Sequence, residues 1–221
     1  MPSAVVIGTG KMGKLIEQTL IAHGFEVLGA FGHENINQLI TVVQTPNVVV
    51  DFSGIAAFDA VVGFVRERGC ALVLLLNKWD LIYSEAKRDE VAASVAKRLA
   101  FAPWIASINV SALTGRAIDK VLAAALSAAE SRALQLKTSE LNELLAQIRE
   151  GGHTVSDRGR RLKIQYATQT GSKPPVISFW CNAPDLVDDN YERFIENRLR
   201  EKFSLVGTPI RLKFRKKVES N

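Results

Sequence analysis

The 221-residue sequence predicts an α/β fold: a parallel sheet with helices on both faces, followed by a small α+β domain. Three observations lead there. Up to about residue 132, short β-branched apolar runs alternate with helical stretches, the rhythm of βα units in a parallel sheet. The first apolar run feeds a glycine-rich turn that opens a helix. From about Lys137 the pattern becomes helix, strand, strand, helix, strand, and the charge balance changes with it.

The elements follow in order. Ala4-Val-Val-Ile7 is a buried strand, and a helix runs from Lys11 to Ala22. Phe25–Phe31 is the second strand and Asn47-Val-Val-Val-Asp-Phe52 the third, with a helix over Ile55–Glu67. Ala71–Leu76 is the fourth strand, and Glu85–Leu99 a helix turning Lys87, Arg88, Lys97 and Arg98 outward. Ile105–Val110 is the fifth strand, and an Ala-rich helix over Ile118–Arg132 closes a domain of residues 1–132. The expected strand order is 3-2-1-4-5, with the loops after the strands along one edge, where α/β proteins bind ligands. Residues 133–137 form a linker. Thr138 or Ser139 caps a helix that Gly151-Gly152 stops. Arg161-Leu-Lys-Ile-Gln-Tyr166 alternates as a half-buried strand should, which assigns Tyr166 to the core. Pro175–Cys181, a helix over Asp188–Phe203 and a strand over Pro209–Arg215 complete a domain of residues 138–217, and 218–221 are a tail.

Composition narrows the function. A hydrophobic content of 47% supports a buried core and excludes a disordered chain. Cys70 and Cys181 are far apart and no CxxC occurs, so no disulfide framework or zinc site is expected, and the reducing cytoplasm is the expected location. The longest apolar run, Ala71–Leu76, is far below the ~18 residues of a membrane span, and no signal-peptide pattern opens the chain. The net charge of +5 is unevenly spread: residues 158–217 carry 14 Lys/Arg against 6 Asp/Glu, the remainder 14 against 17. A nucleic-acid reading therefore applies only to the C-terminal part.

Gly8-Thr-Gly10-Lys-Met-Gly13 follows a strand and opens a helix, the setting a dinucleotide fingerprint requires. Gly8 allows the turn, Gly10 lets backbone approach a pyrophosphate and Gly13 permits close helix packing. The plain alternative is a turn that needs small residues and binds nothing. The acidic ribose partner is poorly matched, with Glu34 the candidate in its place. With Val6–Lys14, Val49-Val-Asp-Phe-Ser53 and Phe64–Cys70, residues 1 to about 72 resemble the N-terminal part of the 4-hydroxy-tetrahydrodipicolinate reductase family. The resemblance implies NAD(P) binding, with Gly8, Gly10, Lys11, Met12 and Gly13 at the cofactor. The family's Gly-Thr-Thr-Gly stretch, paired histidines and catalytic lysine are absent. No catalytic residue is expected, and a dehydrogenase is the least favoured reading.

Asn77-Lys-Trp-Asp80 follows the fourth strand, and Ser111-Ala-Leu-Thr-Gly115 follows the fifth. NKxD suits guanine because a carboxylate accepts from both N1–H and the exocyclic amine. Asn77 would brace the loop and approach N7, Lys78 would lie along the base, and the Ala112 N–H beside Ser111 would reach O6. Together with Thr138–Asn142, Lys163–Tyr166, Asn190–Phe194 and Leu205–Arg211, these motifs resemble the Der (EngA) family of tandem GTPases over about residues 72–217. The resemblance implies GTP or GDP, a KH-like C-terminal domain and association with the ribosome and its RNA. A complete GTPase is not expected. Leu15 stands where a phosphate loop has Ser or Thr, removing the hydroxyl that binds Mg²⁺. Asp51 precedes Asn77 by only 26 residues, room for one βα unit where a GTPase has two. In a 3-2-1-4-5 sheet the Asn77 strand would adjoin the first strand, moving the base site by about one strand spacing, ~4.8 Å.

In the C-terminal domain, Arg161 and Lys163 share one strand face, and Arg211, Lys213 and Arg215 repeat the pattern, with Lys216-Lys217 extending it. Such a face either tracks RNA phosphates or is merely solvated. No GxxG loop of the nucleic-acid-binding KH kind occurs, and Trp180 is a candidate for base stacking. The combined reading is a chimera with a seam near residue 72: a hybrid Rossmann and GTPase-like sheet with vestigial nucleotide sites and no turnover. The alternative is a Der-like protein that binds GTP or GDP and associates with RNA or the ribosome.

Overall fold

A computed structural model describes residues 1–157 and 159–216, the side chain of Ile55 excepted. It divides into two compact units, Met1–Arg132 with Val206–Pro209, and Ala133–Leu205 with the described residues from Ile210 on. Lys217 and the expected tail at 218–221 lie outside the described residues.

In the first unit, β1 (Ser3–Ile7) is buried at every position, as a central strand covered on both sides must be. A glycine turn leads into α1 (Lys11–Ala22), whose Met12, Ile16 and Leu20 pack on one sheet face with Val6 and Val50. β2 (Glu26–Phe31) lies parallel to β1. A 3₁₀ turn at Ile36–Thr41 then passes across the opposite face, where Leu39 and Val42 join Val5, Ile7 and Val49. β3 (Val48–Asp51) therefore lands on the far side of β1, paired from Ala4↔Val48 to Ile7↔Asp51. α2 (Ile55–Arg68) ends on Gly69, whose φ of 63° is left-handed. β4 (Ala71–Leu76), α3 (Glu85–Arg98), β5 (Ala106–Asn109) and α4 (Ile118–Ala133) follow.

The sheet is parallel throughout with the order β2-β1-β3-β4-β5. This corrects the expected order: the third strand returns beside the first, so β3 separates β1 from β4. α1 and α4 cover one face; the 3₁₀ turn, α2 and the C-terminal end of α3 cover the other. The amino end of β4 also receives a segment from far along the chain. Leu72 N donates to Gly207 O and Gly207 N to Trp104 O, both at 2.7 Å.

The second unit opens with α5 (Thr138–Glu150), whose Leu141, Leu144, Leu145 and Ile148 face the core. Its N-cap is Lys137, with no side-chain cap, so neither Thr138 nor Ser139 has the expected capping role; the Thr138 hydroxyl bonds Thr168 instead, at 2.9 Å. After the Gly151-Gly152 turn, β6 (Ser156–Asp157) and β7 (Arg160–Arg161) form a two-stranded ribbon. β8 (Ile164–Gly171), β9 (Val176–Cys181), α6 (Asp189–Lys202) and β10 (Arg211–Lys216) complete the unit. Asp188 caps α6 by accepting from Tyr191 N at 2.8 Å. The sheet order is β10-β9-β8, with β8 antiparallel and β10 parallel to β9. Ile177, Phe179 and Cys181 face Ile195 and Leu199 of α6 in the core.

Candidate functional site

At the carboxyl edge of the five-stranded sheet, helices leave β1 and β3 in opposite directions, and the crevice between them is where doubly wound folds bind ligands. Each glycine of the first loop has its own reason. Gly8 has φ +123°, and a Cβ there would lie 2.2 Å from the Phe52 ring. A Cβ on Gly13 would lie 2.0 Å from Gly8 O, so the helix packs this close because position 13 has no side chain. Gly10 has nothing within 4 Å of its Cβ position, and it caps α1 without a side-chain hydrogen bond. Gly54 caps α2 in the same bare way. Neither helix carries an acidic residue in its first turn, so two positive helix ends flank the crevice.

Other parts of this loop differ from expectation. Lys11 is exposed, whereas the Met12 side chain is 6% exposed and belongs to the core, so only its backbone faces the loop. Leu15 is 42% exposed and offers hydrocarbon where a phosphate loop has a hydroxyl. Glu34 is exposed in the loop after β2.

Asp51, at the end of β3, was missed as a site group. Its Oδ1 accepts from Ser53 N at 2.8 Å and Ser53 Oγ at 2.6 Å. Its Oδ2 is buried with no hydrogen-bond partner among the described residues. Burial pushes the carboxyl above its usual range, against the lowering effect of the two Ser53 bonds.

The loops after β4 and β5 are joined by one side chain. Asn77 Oδ1 accepts from Lys78 N at 2.8 Å and from Ala112 N at 3.1 Å. Two N–H groups converging on one atom identify it as the amide oxygen, leaving Nδ2 as the donor end. The bracing expected of Asn77 is thus formed, but the Ala112 N–H expected at guanine O6 is already engaged by Asn77. Trp79 is buried and its N–H donates to Val110 O at 3.1 Å, anchoring the loop between exposed Lys78 and half-buried Asp80. Lys78 has φ 64°, the left-handed conformation of this tight turn. Ser111 is buried, and its Oγ accepts from Thr114 N at 3.2 Å. Because β3 lies between β1 and β4, the expected one-strand displacement of the base site does not arise.

The basic residues of the second unit fall into two groups rather than one. Arg211, Lys213 and Arg215 are exposed along β10. Arg161 belongs to the ribbon and Lys163 precedes β8, so neither continues that sheet face, contrary to expectation. The cause is local. A register irregularity between Ile164 and Tyr166 shifts the inward set from Leu162 and Ile164 to Ala167. Tyr166, expected in the core, is 39% exposed and stacks on Trp180, with ring centroids 4.6 Å apart and planes 5° apart. Trp180 is paired in register with both Tyr166 and Arg215, which sets two aromatic rings and a guanidinium in one row across the sheet.

Residues 135–215 match the family described as KH-domain-like of EngA bacterial GTPase enzymes, C-terminal. The second unit is KH-like. Over longer stretches the chain is similar to proteins named GTPase Der. It is 42% identical over 176 residues to that of Heliobacterium modesticaldum, covering 77% of this chain and 39% of the relative. The Desulforamulus reducens protein is 37% identical over 166 residues, covering 74% and 38%. The Chlorobium luteolum protein is 33% identical over 206 residues, covering 92% and 47%, a span that crosses residue 72 and takes in most of the glycine-loop half. The chain spans less than half the length of these curated relatives. No described helix is long and apolar enough to cross a membrane.

Proposed function

We propose that the first unit binds a guanine nucleotide along its carboxyl edge without hydrolysing it, and that the KH-like unit binds RNA, in a ribosome-associated role like that of Der-type proteins. The observation carrying the first part is the strand order. With β3 between them, the glycine loop after β1 and the Asn77–Asp80 loop after β4 stand two strand spacings apart on one edge, about 10 Å. Phosphates would meet the bare N-termini of α1 and α2. The Asp80 carboxylate would accept from guanine N1–H and the exocyclic amine, Asn77 Nδ2 would donate to N7, and the Lys78 stem would cover the ring. The relatives' name, GTPase Der, supports GTP or GDP over other nucleotides. Leu15 supplies no hydroxyl for Mg²⁺, and on that ground the reading is binding without turnover.

A second reading keeps the glycine loop as an NAD(P) site inherited with residues 1 to about 72, the chain being a fusion within β4. The tight Gly8–Gly13 approach favours it, since that close packing is the third-glycine role of a dinucleotide fingerprint. Calorimetry with GDP, GTP plus Mg²⁺, NADH and NADPH separates the two. The proposal expects GDP and GTP to bind and Asp80→Ala to abolish the preference for guanine over adenine. Unchanged selectivity in that variant refutes the guanine site, and Mg²⁺-dependent hydrolysis refutes the absence of turnover.

For RNA, the supporting feature is the row Tyr166, Trp180, Arg215 with Lys213 and Arg211 along β10: ring faces for bases and cations for phosphates. Charge reversal at Arg211 and Lys213 should flatten the dependence of log K on log salt by about 0.7 per lost phosphate contact to a single strand. An unchanged slope removes this face from the interface.

A further inference from the structure

The KH-like unit contains a cavity of about 410 Å³ to which neither the nucleotide edge nor the open sheet face contributes. Its floor is the domain core, formed by Leu145, Ile148 and Ile164. Its rim carries Arg149, His153, Arg161 and Lys163, and no Asp or Glu is among the described lining residues. The backbone that carries Arg161 and Lys163 is held in place. Asn182 accepts from Lys163 N at 2.7 Å and donates to Arg161 O at 2.9 Å, clamping the backbone on both sides of buried Leu162. Thr154 donates to Leu162 O at 2.8 Å from the other side. The neighbouring Arg160 is by contrast neutralised by Asp185, at 2.8 Å.

We infer that this cavity binds the phosphate monoester of a nucleotide, free or at the end of an RNA strand. The space exceeds what a bare phosphate fills, and its aliphatic floor suits the flat face of a base or sugar. A terminal phosphate carries close to two charges at neutral pH, whereas an internal phosphodiester carries one; three Lys/Arg groups with no carboxylate among the described lining residues match the former. Gln165, which is exposed, and Tyr191, which is largely buried, also line the cavity and offer polar groups for a base edge. This assignment goes beyond the proposed function and does not rest on it.

The test measures, with the full chain, the binding of one oligoribonucleotide in 5′-phosphorylated, 3′-phosphorylated and unphosphorylated forms, and of AMP against adenosine. A phosphorylated form should bind about tenfold more tightly than its unphosphorylated counterpart, the size of a charge-assisted hydrogen-bond contribution. The advantage should vanish in the double variant Arg161→Gln/Lys163→Gln and persist in Lys213→Gln. A preference seen for AMP but for no oligonucleotide supports the site with a free nucleotide as its source. Equal affinity within every pair overturns the inference, as does a preference that survives Arg161→Gln/Lys163→Gln. Loss of overall RNA affinity in Lys213→Gln alone bears on the sheet face and leaves the ratio as the readout of the cavity.

Discussion

In the five-stranded sheet both faces are covered, so solvent meets the ends of strands and the loops that leave them. In the three-stranded sheet one face carries exposed side chains, so solvent meets every second residue along a strand. The first arrangement ties recognition to a few turn residues: Gly8, Gly10 and Gly13 after β1, Asn77 after β4. The second ties it to phase, and a single irregularity at Ile164/Tyr166 decides which residues are offered. A loop site tolerates change in its strands as long as the turn survives. A face site tolerates change in its turns as long as the register does.

The sharpest way to break this contrast is at Gly13. Gly13→Ala drives a Cβ to 2.0 Å from Gly8 O and should cost about 3 kcal/mol, whereas Gly10→Ala, with open space at its Cβ, should stay within about 0.5 kcal/mol. Urea denaturation of both variants checks it; equal stabilities would mean that the loop is not closed by backbone contact. Asp51→Asn should raise stability by about 2 kcal/mol at neutral pH, because the amide keeps an acceptor for Ser53 and removes a buried charge. The sign with pH follows from the raised carboxyl. The native state takes up the proton at a higher pH than the unfolded chain, so wild-type stability rises as pH falls from the native pKa to the unfolded value of 3.8. The advantage of Asp51→Asn should therefore shrink across that window, measured by melting temperature against pH.

Asn77→Ala frees two N–H groups and should cost about 1 kcal/mol, less than a buried loss because Lys78 and Ala112 are exposed. Its larger signature is guanine affinity, which should fall even though the Asp80 carboxylate remains. Tyr166→Ala removes a cross-strand stack worth about 0.5 kcal/mol on an open face, and chemical denaturation should register little more than that. A penalty several times larger would return Tyr166 to the core, where simple alternation assigns it.

These outcomes follow the division between what the sequence discloses and what it hides. β1, β3 and β4 were legible because each is built on an unbroken apolar run, and the loop motifs because glycine and Asx residues are local signals. The order of the strands was not. Nothing in residues 32–47 states on which side of β1 the chain returns; Leu39 and Val42 settle it by packing across β1 on the face opposite α1. In the KH-like unit both helices and the β9 and β10 strands were legible from their periods. The β6–β7 ribbon was not expected, and strict alternation from Arg161 to Tyr166 hid both the break before β8 and its irregularity. One extra residue in a strand leaves no mark in composition, and it turned Tyr166 to the open face. Asp51 was noticed only for its spacing to Asn77, because an orphaned oxygen is a property of its surroundings.

The hydrogen bonds from Leu72 to Gly207 and from Gly207 to Trp104 make sequence order and structural membership disagree. A fragment stopping at Arg132 would contain every strand and helix of the first sheet except part of the final turn of α4, yet expose an N–H of β4 and a carbonyl beside β5 that the whole chain satisfies. Cutting at the apparent linker thus leaves two backbone groups, at the amino end of β4 and just ahead of β5, without the partners that the longer chain supplies. The first unit becomes whole only when Val206–Pro209 have been made, so its final closure during synthesis waits for residues more than seventy positions beyond its own last helix.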